Sequence, residues 1–313
     1  MAEAPPGAAA TALERGSAGP SVAGGFAEIL TRQADACAMW LERIGPAGGD
    51  LEPVHQTRVS LRRLRSALAI FRPATDGPTT RALAASLGEL AKALGLARDW
   101  DVFLAEGGAR VVAAFPEDRA LARLHAAGLQ AREAAYAAVA AEYPPPERAA
   151  LMARVRAVAE DDAWQGELTE AQRALLAEPL TVLAAEVLER RYKRMRRAGK
   201  GIAKLETPAL HALRLRAKRL RYAAEFFAPL FDAADARRFI RRLARLQDGL
   251  GHLNDSVVAG DLMDRIAPPP VRGAARARAV GLVKGYVAGE AAAARKGLRR
   301  EWKRLGRARP FWR

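Results

Sequence analysis

VHQTRVSLRRLRSALAIFRP, residues 54–73, has a near copy at residues 210–229, LHALRLRAKRLRYAAEFFAP. At one constant offset His55 answers His211, Arg58 answers Arg214 and Arg62 answers Lys218. Arg63 answers Arg219, Leu64 answers Leu220, Arg65 answers Arg221, Phe71 answers Phe227 and Pro73 answers Pro229. Neither copy contains glycine, and proline enters only at its end. His55, Arg58, Arg62 and Arg65 fall at i, i+3, i+7 and i+10, which is one face of an α-helix. Leu61, Leu64, Leu68 and Phe71 run beside them as an apolar stripe, repeated by Leu213, Leu220, Ala224 and Phe227. Pro73 and Pro229 are expected to end the two helices, because proline lacks the N–H donor and clashes with the preceding turn.

A helix repeated at half the length of its chain predicts a duplicated, all-α bundle. Each half would bury its leucines, which leaves both basic stripes free to face a shared groove. The repeat reaches further: LGLARDWDV (94–102) answers LGHLNDSVV (250–258), with Gly95 on Gly251 and Asp99 on Asp255. Each glycine is expected to end or kink a helix. Each aspartate is expected to cap the next helix or to orient groove arginines through a salt bridge. A Mg²⁺ site would need more carboxylates together.

Composition agrees with helices. Half of the 313 residues are apolar and only 6% are aromatic, a mix that favours closely packed helices. Lys and Arg outnumber Asp and Glu by 51 to 35, a formal charge of +16. That excess points to a polyanionic partner: nucleic acid, an anionic membrane surface or a phosphate polymer. Cys37 is the only cysteine, which excludes an internal disulfide or a cysteine-based metal cluster and fits a reducing cytoplasm. No stretch approaches ~18 consecutive apolar residues, and no secretion signal is present, so a membrane span is not expected.

Along the chain, residues 1–24 read as a disordered tail of Ala, Gly, Pro and Ser. Phe26 to Ile44 reads as a helix with Phe26, Ile29, Leu30, Met39 and Leu41 as core candidates. Arg81 to Leu96 is helical, with Leu83, Leu87, Leu90 and Leu94 in phase. Asp118 to Glu142 and Arg272 to Arg304 are long helices, Glu147 to Glu160 is a short one, and Trp164 to Leu168 is a loop. Glu170 to Ala198 reads as one helix kinked at Pro179, and it ends in RRYKRMRRAGK. There Arg190, Arg194 and Arg197 share a flank of a stripe formed by Leu188, Tyr192 and Met195. The corresponding segment of the first half is nearly uncharged. The last residues, 306–313, read as a fraying tail. The halves divide at about 25–160 and 165–305.

These motifs resemble the repeated signatures of the CHAD domain, the conserved histidine α-helical domain, over roughly residues 26–305. The resemblance implies two four-helix bundles related by a pseudo-twofold axis, with basic helices lining a central groove. It also implies binding of inorganic polyphosphate and association with polyphosphate granules. His55 and His211 fall on the histidine positions of the pattern. Arg58, Arg62, Arg63 and Arg65, with Arg214, Lys218, Arg219 and Arg221, fall on its basic positions. Many relatives carry an N-terminal triphosphate tunnel (CYTH) domain. Residues before 26 leave no room for one and no ExExK signature is present, so no tunnel-enzyme activity is expected.

Acids are nearly absent from both stripes, whereas a solvated helix face interleaves Glu with Lys at i, i+4. Neither His55 nor His211 has a second histidine at i+3 or i+4, as a metal site would want, and the repeats supply no nucleophile or carboxylate partner for catalysis. Both histidines are left to phosphate hydrogen bonding or structure. His125 and His252 have no counterparts and read as structural. The expected function is non-enzymatic polyphosphate binding, without cofactor or metal, by the two stripes with Arg190, Arg194 and Arg197. The alternatives are general nucleic-acid or RNA binding and polyphosphate hydrolysis. Chain-length preference and oligomeric state are not encoded in any motif.

Overall fold

The computed structural model describes residues 19–268 and 270–313. The protein is all-α. In chain order the helices are α1 (Val22–Glu42), α2 (Glu52–Thr75), α3 (Pro78–Ala105), α4 (Gly107–Ala114), α5 (Arg119–Glu142) and α6 (Pro145–Glu160), then α7 (Glu170–Ala177), α8 (Leu180–Ala198), α9 (Thr207–Phe227), α10 (Ala233–Ile266) and α11 (Ala274–Gly306). Among the described residues the sole β-type pairing is an isolated bridge between Ser21 and Pro179.

In the first half α1 packs on α2 and α6, α2 on α3, and α3 on α5. In the second, α9 packs on α8 and α10, and α10 on α11. The halves meet through α2 against α9, α3 against α10 and α5 against α11. Each of these pairings joins a helix to the one lying about 156 positions further along, the separation of His55 from His211. The apolar stripes bring them together. Leu61, Leu64, Phe71, Leu213, Leu220 and Phe227 are all fully buried, and the rings of Phe71 and Phe227 meet edge to face at 6.1 Å. Burying each such side chain contributes about 1.5–3 kcal/mol. Because the stripes meet, one contiguous core runs through both halves.

Several elements depart from the sequence expectation. α1 begins at Val22, inside the stretch read as a tail, because the Ser21 side chain caps it by accepting from the Gly24 N–H. The remainder of that stretch, residues 1–18, lies outside the described residues. Met39 is exposed, since the buried face of α1 passes through Phe26, Ile29, Leu30, Ala34, Cys37 and Leu41 instead. Pro73 lies inside α2: it sits in the last turn, where losing one backbone bond is tolerated, whereas α9 does stop two residues before Pro229. Gly95, Asp99, Gly251 and Asp255 all lie within the unbroken helices α3 and α10, so neither aspartate is a cap. Pro179 breaks its helix in two and does not merely kink it. The N-terminal segment uses that gap: Val22 N–H donates to Glu178 O and Leu180 N–H to Pro20 O.

Residues 163–167 form a short 3-10 turn that buries Trp164. The C-terminal residues are packed, not frayed. Phe311 and Trp312 are buried against Phe239, at 5.8 and 5.0 Å. Trp312 Nε1 and the Arg313 guanidinium both donate to the Glu189 carboxylate of α8.

Candidate functional site

Three clefts open where the halves meet. The first, about 420 Å³, is lined by His55, Arg58 and Arg62 of α2, Arg98 and Asp99 of α3, Arg214 and Lys218 of α9, and His252 and Asp255 of α10. The second, about 550 Å³, takes Arg62, Arg65 and Arg72 from α2, Arg81 from α3, Arg191 from α8, and Lys218, Arg219 and Tyr222 from α9. The third, about 510 Å³, takes His55, Arg62 and Arg63 from α2, Arg214, Lys218 and Arg221 from α9, and Asp248 and His252 from α10. Arg62 and Lys218, a matched pair in the repeat, line all three.

Neighbours fix the direction of the α2 stripe. Arg58 Nη1 donates to the Ala91 carbonyl of α3 at 2.5 Å. A Cβ at position 95 would stand 3.4 Å from that nitrogen, an ordinary contact distance, so the guanidinium lies against the α3 backbone beside Gly95. Arg62 Nε donates to the Tyr222 hydroxyl of α9 at 3.2 Å. Arg63 and Arg221 hold opposite oxygens of Glu225, at 2.5 and 3.1 Å, and so clamp α2 to α9. The Nε atoms of the matched Arg58 and Arg214 are both buried without a protein partner.

Crowded cations and partial burial set the protonation of the site. Burial, then Arg214, Arg62 and Arg221, pulls Lys218 down to about 7, with Asp255 opposing. Burial and then Arg98 hold His55 below the usual imidazole range. Burial and neighbouring arginines bring Arg191 to about 10. The matched carboxylates move upward: burial raises Asp99 and Asp255 against the pull of Arg58 and Arg214 respectively, and Asp255 adds to the rise at Asp99. Both aspartates and both arginines line the first cleft.

Of the stripe residues, His55, Arg58, Arg62, Arg63, Arg65, Arg214, Lys218, Arg219 and Arg221 are distributed over these clefts. His211 lines none of the three; it is exposed, and its Nδ1 lies 3.1 Å from Asn254 Oδ1. Arg190, Arg194 and Arg197 are exposed and also line none of them. Their neighbour Arg191 does, and it donates to the Arg219 carbonyl at 2.6 Å. His252, read from the sequence as structural, lines two clefts. Arg98, Arg72, Arg81 and Tyr222 were not singled out either. Arg98 adjoins Asp99, and Tyr222 adjoins Arg221, so both lay within reach of the motif. Arg72 lies in the quoted stretch but past its matched basic positions, and Arg81 lies beyond the stretch; only the packing of α2 on α3 brings the two into one cleft. Among the described residues no helix is long and apolar enough to cross a membrane, and no group of three or more His, Cys, Asp or Glu could hold a metal ion.

Solved structures with extensive likeness include the following two. A crystal structure of the CHAD domain from the plant Ricinus communis is 27% identical, with a TM-score of 0.78 and 96% of each chain covered. PptA from Streptomyces chartreusis is 20% identical, with a TM-score of 0.68, covering 91% of this chain and 100% of that one; at that identity the likeness is one of fold. No curated protein matches the chain significantly. The CHAD domain profile matches residues 28–264. With the repeated motifs, the all-α architecture and this match over most of its length, the chain belongs to the CHAD domain family.

Proposed function

We propose that this protein binds inorganic polyphosphate along the path formed by the three clefts, as a binding module and not as an enzyme, and that it works in the cytoplasm at polyphosphate granules. The observation that carries the reading is that Arg62 of α2 and Lys218 of α9 line all three clefts. These shared walls support a reading in which the clefts form one path addressed by two basic helices. Guanidinium forks donate to pairs of phosphate oxygens, while lysine adds a point charge. The carboxylates Asp99 and Asp255 share the first cleft with Arg58 and Arg214 but, among the described residues, form no ion pair with them; the Ala91 carbonyl orients Arg58. A linear polymer with a charge on every unit suits such a path, and counterion release makes a large contribution to its affinity.

The exposed row of Arg190, Arg194 and Arg197 favours a second reading, non-specific nucleic-acid binding on the outer face of α8. Competition of long-chain polyphosphate against duplex DNA, at matched phosphate concentration and over a range of salt, separates the two. Polyphosphate is expected to displace DNA, with a steep salt dependence. DNA binding as tightly as polyphosphate would overturn the assignment. Release of orthophosphate in the presence of Mg²⁺ or Mn²⁺ would overturn the non-enzymatic reading.

A further inference from the structure

Lys218 sits where the three clefts meet, half-buried, and among the described residues it makes no hydrogen bond or ion pair with the protein. Cations surround it. On α2 it faces Arg62, with His55 and Arg58 further along the first cleft and Arg65 in the second. On its own helix Arg214 and Arg221 lie one turn to either side, and Arg219 shares the second cleft with Arg191 of α8. Arg98, Arg110, Glu106 and Glu290 also line the first cleft and Asp76 the second, with Glu290 paired to Arg110 and Asp76 to Arg81. Asp255 of α10 and Asp99 of α3 line the first cleft with Arg214 and Arg58, and Asp248 and His252 are on the α10 wall of the third cleft.

In such a cluster one group yields its proton before the others. Guanidinium stays charged at any physiological pH, whereas an amine crowded by like charges and shielded from water gives its proton up readily. The same position in α2 holds an arginine, Arg62, and cannot respond in this way. An entering anion reverses the balance, because each phosphate oxygen near the amine favours the ammonium form.

We propose that Lys218 couples anion binding to proton uptake: a phosphate chain laid between Arg62 and Arg214 draws a proton from solvent onto the Lys218 amine, which becomes the last cation of the site only when the ligand is present. This inference rests on the polyphosphate reading and adds to it a proton stoichiometry and a pH dependence. The depressed Lys218 supports it, since the amine is mostly neutral above about 7 in the free protein. The sign follows from that. Below about 7 the lysine is already charged and takes up nothing. As pH rises above it, binding must bring the proton in, so affinity falls by up to tenfold per pH unit. His55, also held low, takes up its proton in a more acidic range.

The test is titration calorimetry of the full chain with long-chain sodium polyphosphate, at pH 6 to 8.5, in pairs of buffers with different ionisation enthalpies. The dependence of the observed heat on buffer gives the protons taken up. Wild type is expected to take up close to one proton at pH 7.5–8. Lys218→Arg, permanently charged, is expected to bind within about tenfold of wild type, to take up close to none, and to lose the decline in affinity above pH 7. His55→Gln is expected to keep the uptake at pH 7.5–8 and to lose only the uptake at the acidic end of the range. Equal uptake by wild type and Lys218→Arg overturns the proposal while leaving polyphosphate binding in place. Absence of polyphosphate binding by wild type overturns the binding assignment itself, and this inference with it.

Discussion

The two basic helices share a register and differ in how they hold it. On α2, Arg58 is tied to a backbone carbonyl of α3 and Arg62 to the Tyr222 hydroxyl. On α9, Arg214 and Lys218 face the same clefts, and among the described residues neither has a hydrogen-bonded protein partner. The halves differ likewise in charge. Of the 51 Lys and Arg, 18 lie in residues 1–160 and 33 in residues 161–313, whereas the 35 Asp and Glu divide 18 and 17. The whole excess of +16 therefore belongs to the second half. The frame of a helical repeat and its electrostatics vary independently. The first half holds arginines that are already oriented, and the second carries the net positive field.

The largest effect should come from reversing charge on either side of the path. Arg214→Glu with Lys218→Glu is expected to weaken polyphosphate binding by roughly 1000-fold, and Arg62→Glu alone by roughly 100-fold. A missing charge-assisted hydrogen bond costs about 1.5–3 kcal/mol and a reversed charge repels as well. Fluorescence binding at fixed salt reads the affinities, with circular dichroism to check helicity. If Arg62→Glu is silent while the α9 double variant abolishes binding, the first half provides frame only, and the two-sided path is wrong.

Stability sharpens the same contrast. The second half is closed by Trp312, whose ring packs on Phe239 and Phe311, each at 5.0 Å, and whose Nε1 donates to Glu189. Trp312→Ala is expected to cost about 3–5 kcal/mol in denaturant unfolding. The first half closes α3 on α5 through a buried hydrogen bond, Tyr136 hydroxyl to Asp101 at 2.8 Å. Tyr136→Phe removes the donor from a carboxylate that burial has already raised, at a cost of about 1–3 kcal/mol. That loss should shrink as pH falls and Asp101 becomes protonated. A pH-independent loss would mean that the hydrogen bond is incidental to packing.

The fold was readable because periodicity is local. The stripe Leu61, Leu64, Leu68 and Phe71 needs only one helix to be seen, and such stripes mark the chain as all-α. What could not be read was set by packing between elements. Asp99 looks like a cap because Gly95 precedes it. Only the packed α3, which runs unbroken past Gly95 with Arg58 bonded to its Ala91 carbonyl, shows that the glycine ends nothing. Trp312 looked frayed because its partners, Phe239 and Glu189, are distant in sequence. At the site, Arg191 is separated from Arg190 by about 100° of helix rotation, which is enough to turn one into a cleft and leave the other in solvent. Charge runs give composition, and the packed face of α8 decides which member of the run is used.

That distinction gives the smallest and most discriminating effect. Arg190, Arg194 and Arg197 are exposed and line none of the three clefts, although they belong to the most basic segment of the chain. Their combined replacement by Ala is expected to weaken binding of a short polyphosphate, one that fits within the clefts, by less than about threefold at moderate salt. These charges lie in solvent and act on such a ligand only through a screened field. A long chain that emerges past Arg191 can touch them, so its affinity should fall further. The slope of log K against log salt should then drop by about one for each phosphate that no longer meets an arginine, while the slope for the short chain stays unchanged. Salt titrations of wild type and the triple variant with both chain lengths measure this directly. If the triple variant loses short-chain binding as severely as Arg62→Glu, the diffuse charge of the second half governs recognition, and the geometry of the clefts does not.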